Sequence, residues 1–165
     1  MIVCAVGNMG EQKKNEQDIE LASNIIRSNF EGPASIFLIF ASLFEQRGSG
    51  TLVGISSVAG ERGRAKNYIY GSSKAGFTVF LSGLRNRLAM SGVHVITVLP
   101  GFVATKMTNN IQLPKKITAQ PDQVGKAIFN AVKKKTNIVY VSPIWRIIMM
   151  IIRNIPENIF KKMKL

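Results

Sequence analysis

The chain has 165 residues, a length that suits one domain with a buried core, and 46% of them are hydrophobic. This composition excludes a low-complexity or disordered chain. A single cysteine, Cys4, excludes an internal disulfide and, with no signal-peptide pattern at the N-terminus, favours a cytoplasmic protein. The net charge of +13 indicates an anionic partner, and the basic excess is concentrated after residue 114.

Short apolar runs alternate with segments of helical periodicity along the chain. Strands are predicted at residues 2–6, 51–56, 93–99 and 137–142. Helices are predicted at residues 18–44, 70–89 and from Pro121 to the lysine cluster at 133–135, the first being irregular near Gly32-Pro33. A loop of about twenty residues separates the third strand from the third helix.

This alternation predicts an α/β fold with a parallel sheet of about four strands and helices on both faces. Right-handed crossovers place the carboxyl ends of the strands at one rim, where such sheets bind ligands. The residues that follow the strands are therefore candidate site residues: Gly7-Asn8, Ser56-Ser57 and Pro100-Gly101.

A tyrosine and a lysine stand four residues apart at the start of the second long helix. Tyr70 and Lys74 therefore share one helix face, and an ammonium beside a phenol is expected to lower the phenol pKa. Such a tyrosine suits general acid–base chemistry. Ser57 follows a strand at the same rim, where its hydroxyl could hold a carbonyl oxygen against the phenol.

Three segments in this order resemble signatures of the short-chain dehydrogenase/reductase family. They are Ile-Ser-Ser-Val-Ala-Gly at 55–60, Tyr-Gly-Ser-Ser-Lys-Ala-Gly at 70–76 and Pro-Gly-Phe-Val-Ala-Thr at 100–105. Asn-Phe-Glu-Gly at 29–32 is similar to the helix signature that carries the fourth active-site residue. The segment Val-Gly-Asn-Met-Gly at 6–10 stands where the family has Asn-Asn-Ala-Gly and matches it poorly. The resemblance covers residues 1–142 and implies a Rossmann-like fold.

The resemblance also implies roles for individual residues in an NAD(P)-dependent oxidoreductase that interconverts a carbonyl and a secondary alcohol. Tyr70 would exchange a proton with the substrate oxygen, which Ser57 would orient. Lys74 would bind the nicotinamide ribose, and Asn29 would hold a water that links Lys74 to solvent. The residues implied in cofactor binding are Gly7, Asn8, Tyr70, Lys74, Pro100, Gly101, Val103 and Thr105. No metal ion is expected in this site.

The largest departure from the family lies at the front of the chain. The glycine-rich phosphate loop, the first three strands and the residue that selects NAD or NADP would precede residue 1. The pattern Gly-x-x-x-Gly-x-Gly does not occur in the chain, and that loop anchors the pyrophosphate in such folds. We therefore expect a fragment that by itself lacks the main anchor for the cofactor pyrophosphate, and both NAD and NADP stay open as its cofactor.

The C-terminal segment, residues 143–165, is apolar and basic. Its apolar run at 144–152 contains Trp145 and is too short to span a bilayer. Two readings stay open: a helix at 144–164 in the headgroup layer of the inner membrane face, or a helix packed on the domain or a second subunit. Similar tails in family members that reduce keto-sugars on polyprenyl phosphates suggest a lipid-linked or hydrophobic substrate.

Two functional hypotheses follow. The first is the enzyme described above, assembled as a homo-oligomer through the helices at 18–44 and 70–89, which commonly form the subunit interface in this family. The second is a non-catalytic remnant that acts as a membrane-surface or oligomer-interface protein. The basic charge alone also suggests a nucleic-acid binder, but no stacking platform or nucleic-acid motif supports that partner, and none is expected.

Overall fold

The structure is a computed structural model that describes residues 1–109 and 112–163. Lys164, which belongs to the predicted tail helix, lies outside the described residues. The helices are α1 (Gln12–Gln17), α2 (Ile19–Ile26), α3 (Gly32–Arg47), α4 (Tyr68–Leu88), α5 (Pro121–Lys133), α6 (Pro143–Asn154) and α7 (Glu157–Phe160). The strands are β1 (Ile2–Cys4), β2 (Gly50–Ile55), β3 (Val93–Leu99), β4 (Phe102–Val103), β5 (Thr118–Ala119) and β6 (Ile138–Tyr140).

Four of the strands form one parallel sheet in the order β1-β2-β3-β6, with β1 at one edge. This confirms the predicted order of the four strands and their parallel pairing. A second sheet pairs β4 with β5 inside the segment that was predicted to be a loop. Strands of two residues carry no alternation pattern, so this pairing leaves no signal in the sequence.

Helices cover both faces of the main sheet, as predicted. On one face, α3 and α4 bury Phe37, Phe77 and Leu81 against Leu52 and Val95 of the strands. On the other face, α5 packs against the alternate strand residues; Val53, Ile96, Val98 and Ala131 form this second core. Adjacent strand residues point to opposite faces, so β2 and β3 contribute to both cores.

The predicted helix at 18–44 is continuous, but its irregular turn is a π-helical turn at Arg27–Glu31 rather than a distortion centred on Gly32-Pro33. Pro33 falls in the first turn of α3, a position that tolerates a missing N–H group. The π-helical turn contains Asn29, whose side chain donates a hydrogen bond to the Ile25 carbonyl (2.9 Å). A local change of helical hydrogen bonding therefore occurs at a predicted site residue.

The C-terminal segment differs from the prediction of a single helix at 144–164. Its helix stops at Asn154 because Pro156 has no N–H to continue the hydrogen-bond ladder, and α7 follows. Trp145, the predicted interfacial anchor, is only 4% exposed and packs inside the protein with Met149. Among the described residues, no helix is both long and apolar enough to cross a lipid bilayer.

Candidate functional site

The predicted catalytic residues meet at the carboxyl end of β2 and the start of α4. Ser57 directly follows β2 and is buried, while Tyr70 and Lys74 lie in the first turns of α4. The Ser56 hydroxyl donates to the Lys74 carbonyl (2.8 Å) and contacts the Thr78 hydroxyl (2.6 Å), which ties the helix to the strand end. The sequence analysis did not predict that Ser56 would bind the strand end to the helix. The position of Ser56 beside Ser57 at the end of β2 was the signal that could have indicated it.

Lys74 is the most deeply buried cation of the site. Its side chain is 3% exposed, and its Nζ donates to the Ile55 carbonyl at 3.0 Å. Burial lowers the pKa of Lys74 to about 8, since the charged form is poorly solvated there. An ammonium has three N–H donors, so the bond to Ile55 leaves two for a ligand.

Tyr70 does not show the lowered pKa that the sequence predicted. Burial raises the pKa of the Tyr70 phenol above its ordinary value, and the neighbouring Ser57 hydroxyl lowers it in turn. The Lys74 Nζ lies 5.9 Å from the centre of the Tyr70 ring and is directed to the Ile55 carbonyl. Tyr70 and Lys74 therefore lie near each other on one helix face, but the effect of burial on the phenol pKa is larger than the effect of the ammonium.

Asn29 holds the loop that follows β1. Its Nδ2 donates to the Asn8 carbonyl (2.6 Å), and its Oδ1 accepts from the Asn8 backbone N–H (2.9 Å). A Cβ on Gly7 would lie 3.0 Å from Asn29 Oδ1 and 3.2 Å from Lys74 Nζ. Gly7 therefore lets the backbone approach both side chains, and the structure brings together Gly7, Asn8, Asn29 and Lys74.

The turn that follows β3 joins the Ser57 loop through its backbone. The Val58 N–H donates to the Pro100 carbonyl at 3.0 Å, so these two loops are held side by side. Val103 pairs instead with Ala119 of β5, and Thr105 lies in the turn that follows β4. The Val103 carbonyl accepts from the Thr108 hydroxyl (2.7 Å), and Thr105 caps the short helical turn Lys106–Thr108.

A cavity of about 380 Å³ opens beside this cluster, between the loop after β1, the residues before α4 and the turn after β4. Two methionines and one cation are among its lining side chains. The lining residues are Met9, Gly10, Glu11, Gln12, Lys66, Asn67 and Met107. Sequence reasoning did not assign these residues, because no motif links the three segments.

Two comparisons with known proteins give the family. The family model described as "short chain dehydrogenase" matches residues 1–116. An uncharacterized oxidoreductase of Mycobacterium tuberculosis is 33% identical over 161 residues, which are 98% of this chain and 64% of that protein. An uncharacterized oxidoreductase of Streptomyces coelicolor is 32% identical over 163 residues, which are 99% of this chain and 64% of that protein.

The chain belongs to the short-chain dehydrogenase family. It spans 64% of the length of these two relatives, and each alignment includes nearly all of its C-terminal segment. The ketoacyl reductase HetN of Nostoc, a further relative, is 38% identical over 109 residues, which are 64% of this chain and 38% of HetN.

Solved structures share the short-chain dehydrogenase fold with this chain. A short-chain dehydrogenase from Burkholderia cenocepacia in complex with NADP superimposes with a TM-score of 0.82 at 21% identity, over 96% of this chain and 65% of that one. A short-chain dehydrogenase from Sphingobium yanoikuyae in complex with NADPH gives a TM-score of 0.73 at 21% identity, over 93% of this chain and 64% of that one. These likenesses establish the Rossmann-like fold.

Proposed function

We propose that this chain is the catalytic, nicotinamide-binding portion of an NAD(P)-dependent oxidoreductase that interconverts a carbonyl compound and a secondary alcohol. The observation that carries the proposal is the assembly of Ser57, Tyr70 and Lys74 at the rim where parallel sheets bind ligands. The activity is proposed for a protein that also carries a region for the adenosine and pyrophosphate groups, which residues 1–165 do not supply through a glycine-rich loop.

In the proposed reaction, the Tyr70 hydroxyl donates a proton to the carbonyl oxygen during reduction and takes it back during oxidation. The raised pKa keeps the Tyr70 phenol protonated at neutral pH but also makes it a weaker acid, so the donor role rests on its position beside Ser57. The Ser57 hydroxyl orients the same oxygen. Lys74 and Asn29, which approach the same side of Gly7, form the route by which a proton reaches the phenol.

The residues of the site fit the nicotinamide half of the cofactor. The two remaining N–H groups of Lys74 suit the ribose hydroxyls, and the Pro100-Gly101 turn with Val103 and Thr105 forms the other wall. The loop at Gly7-Asn8 completes the binding surface. When bound, the nicotinamide supplies or accepts the hydride. NADPH is the first cofactor to test, since related folds hold NADP or NADPH.

The substrate is proposed to be a hydrophobic or lipid-linked carbonyl compound. The cavity near the start of α4 is lined by the apolar side chains of Met9 and Met107 and by the cation of Lys66. The Glu11 carboxylate also lines it, and that carboxylate pairs with Lys14 at 2.8 Å. This lining suits an apolar body that carries an anionic group.

A reduction assay tests the proposed function. The assay uses the full-length protein, meaning residues 1–165 together with the region that binds the adenosine and pyrophosphate groups. Oxidation of NADPH or NADH is followed with pairs of ketones that differ in chain length or in the presence of an anionic group. Binding of each cofactor is measured by calorimetry. Carbonyl-dependent oxidation of either cofactor supports the proposal. If the folded protein shows neither cofactor binding nor turnover, the proposed function is rejected.

Residues 143–165 are proposed to attach the protein to the inner face of the membrane. With Trp145 buried, the outer face of α6 still presents Ile147 (57% exposed), Ile151 (58% exposed) and Met150 to the surroundings. Arg146, Lys161 and Lys162 are exposed cations nearby, and the acidic groups Glu61 and Glu157 already pair with Arg153 and Arg62. An apolar face edged by cations favours anionic lipid headgroups.

The double variant Ile147→Glu/Ile151→Glu is expected to lose binding to phosphatidylglycerol vesicles. Each nearby cation contributes about 1 kcal/mol of attraction, and screening beyond a Debye length of about 8 Å makes the wild-type binding fall as salt rises. Co-sedimentation with phosphatidylglycerol and phosphatidylcholine vesicles measures this. Phe129→Glu, which changes an exposed aromatic residue on α5, is the matched control. Equal sedimentation of the double variant and wild type would assign the face to protein contacts.

Assembly as a homo-oligomer is proposed through α3 and α4. These helices leave an outward apolar surface that includes Ile36, Ile39, Leu43 and Val79. Single exposed apolar residues are ordinary, but a contiguous set favours an interface.

The variant Ile39→Glu is expected to shift the full-length protein toward monomer, because a carboxylate buried at the interface would lack a partner. Sedimentation velocity measures the change, with Phe129→Glu again as the control for an added surface charge. An unchanged sedimentation coefficient for Ile39→Glu would place the interface elsewhere.

A further inference from the structure

The indole of Trp145 lies directly on the turn that follows β3. A Cβ on Gly101 would lie 1.9 Å from Cε2 of the Trp145 ring, so the absence of a side chain at Gly101 makes this contact possible. The neighbouring Phe102 ring meets the indole edge-on, with centroids 5.2 Å apart and an interplanar angle of 80°. Trp145 therefore packs against two consecutive residues of the turn.

The indole also fixes the strand that pairs with this turn. Its Nε1 donates to the Ile117 carbonyl at 3.0 Å, immediately before β5. β5 pairs in turn with β4, and the Ala104 N–H donates to the Ala119 carbonyl at 2.9 Å. One side chain thus contacts β4 at Phe102 and the residue immediately before β5, where β4 and β5 are the two strands of the small sheet that carries Val103.

The same face of α6 supports the Ser57 loop. Trp145 and Met149 form a buried cluster with Val58 and Leu99. Val58 directly follows Ser57, and Leu99 directly precedes Pro100. The helix therefore lies beneath the ends of both strands that carry the site.

The far end of α6 is bound to the residues just beyond that loop. The Arg62 guanidinium donates to the carbonyls of Arg153 (2.9 Å) and Ile155 (3.0 Å). It pairs with Glu157 at 2.7 Å and stacks on the Phe160 ring at 4.0 Å. Hydrogen bonds to the last carbonyls of a helix satisfy groups that otherwise need water, so α6 is anchored at this end as well.

We propose that Trp145 is the positioning residue of the turn Pro100–Thr105 and, through it, of the nicotinamide group. This inference rests on the proposed function, because the turn binds nicotinamide only if the chain is an NAD(P)-dependent oxidoreductase. Trp145 touches neither substrate nor cofactor; it sets where Gly101 and Phe102 lie. Its removal weakens cofactor binding more than proton transfer by Tyr70, which α4 positions.

The first test compares NADPH binding by calorimetry in the full-length wild type, Trp145→Leu and the control Phe129→Leu. Trp145→Leu is expected to raise the Kd for NADPH by about tenfold or more, since small misplacements of binding groups weaken binding strongly. Its kcat at saturating NADPH is expected to fall as well, because a displaced nicotinamide ring is poorly placed for hydride transfer. Phe129→Leu, on exposed α5 surface, leaves the Kd unchanged. A wild-type Kd in Trp145→Leu overturns the inference.

A double-mutant cycle separates positioning from a general loss of stability. Gly101→Ala in the wild-type background forces the new methyl group against the indole and is expected to raise the Kd for NADPH. In the Trp145→Leu background the methyl group has room, so the same substitution has a smaller effect. Equal effects in the two backgrounds would overturn the inference.

Hydrogen exchange of the backbone amides of residues 100–105, measured without cofactor, shows whether the turn is held in place and does not depend on activity. In Trp145→Leu, the Ala104 amide hydrogen is expected to exchange faster with solvent, while the amides of β2 and β3 stay protected. Unchanged exchange at Ala104 would overturn the inference. A wild type that binds neither NADPH nor NADH would instead reject the proposed function, while this exchange experiment still decides whether Trp145 holds the turn.

Discussion

Tyr70→Phe is expected to lower kcat for carbonyl reduction by about a hundredfold or more, the scale of a lost general acid. The substitution removes only the phenolic oxygen, so the Kd for the nicotinamide cofactor is expected to stay close to the wild-type value. Lys74→Ala, by contrast, is expected to weaken both turnover and cofactor binding, since Lys74 serves the proton route and the ribose. Steady-state kinetics and calorimetry on the full-length protein measure the two quantities.

Tyr68→Phe is the matched control for the loss of a phenolic hydroxyl. Tyr68 is the first residue of α4 and is exposed, whereas Tyr70 faces Ser57. The control is expected to retain wild-type kcat. Full activity in Tyr70→Phe would remove tyrosine from the proposed mechanism, whatever the behaviour of Lys74→Ala.

Lys74→Met is expected to stabilise the cofactor-free protein while abolishing its activity. Burial lowers the pKa of Lys74 from 10.5 to about 8, so the folded state carries a free-energy penalty whenever the lysine is charged. Each pKa unit corresponds to about 1.4 kcal/mol, and the lost bond to Ile55 offsets part of the gain, which leaves roughly 1–3 kcal/mol near pH 7. Methionine keeps the length of the side chain without its charge.

The stability difference between the wild type and Lys74→Met is expected to depend on pH. Below about pH 8, Lys74 is protonated in both the folded and unfolded states, and the full penalty applies. Between about 8 and 10.5 the unfolded state binds more protons, so wild-type stability rises with pH relative to Lys74→Met. Urea unfolding of the cofactor-free protein across this range measures the difference. Lys126→Met, an exposed change on α5, is the control. A constant difference from pH 7 to 10 would contradict the burial argument.

Much of the sheet could be predicted from the sequence because its strands are continuous apolar runs. The order β1-β2-β3-β6 and the two-sided helical cover follow from alternation and right-handed crossovers. The family motifs likewise place Ser57, Tyr70 and Lys74 at the rim of the sheet. Local pattern carries this information because apolar runs and helical periodicity mark each strand and helix within its own segment of the chain.

The charge state of the site could not be predicted from spacing. The four-residue spacing of Tyr70 and Lys74 suggested a lowered phenol pKa, yet desolvation raises it. Desolvation of the Tyr70 phenol depends on which residues of other helices and loops surround it. The sequence of the helix that carries Tyr70 does not specify those residues. The π-helical turn at Asn29 is a similar case, because its side chain bonds to Asn8 of a distant loop.

By itself, the sequence determined the family, the parallel sheet and the candidate catalytic side chains, because motifs and apolar periodicity are local properties. Only the tertiary structure decided the place of the C-terminal segment. Trp145 and the isoleucines of α6 have similar apolar character in the sequence, but Trp145 enters the space above Gly101 while Ile147 stays outside. Which apolar residue is buried depends on the shape of the surface that receives it, and that surface is assembled from residues far apart in the chain.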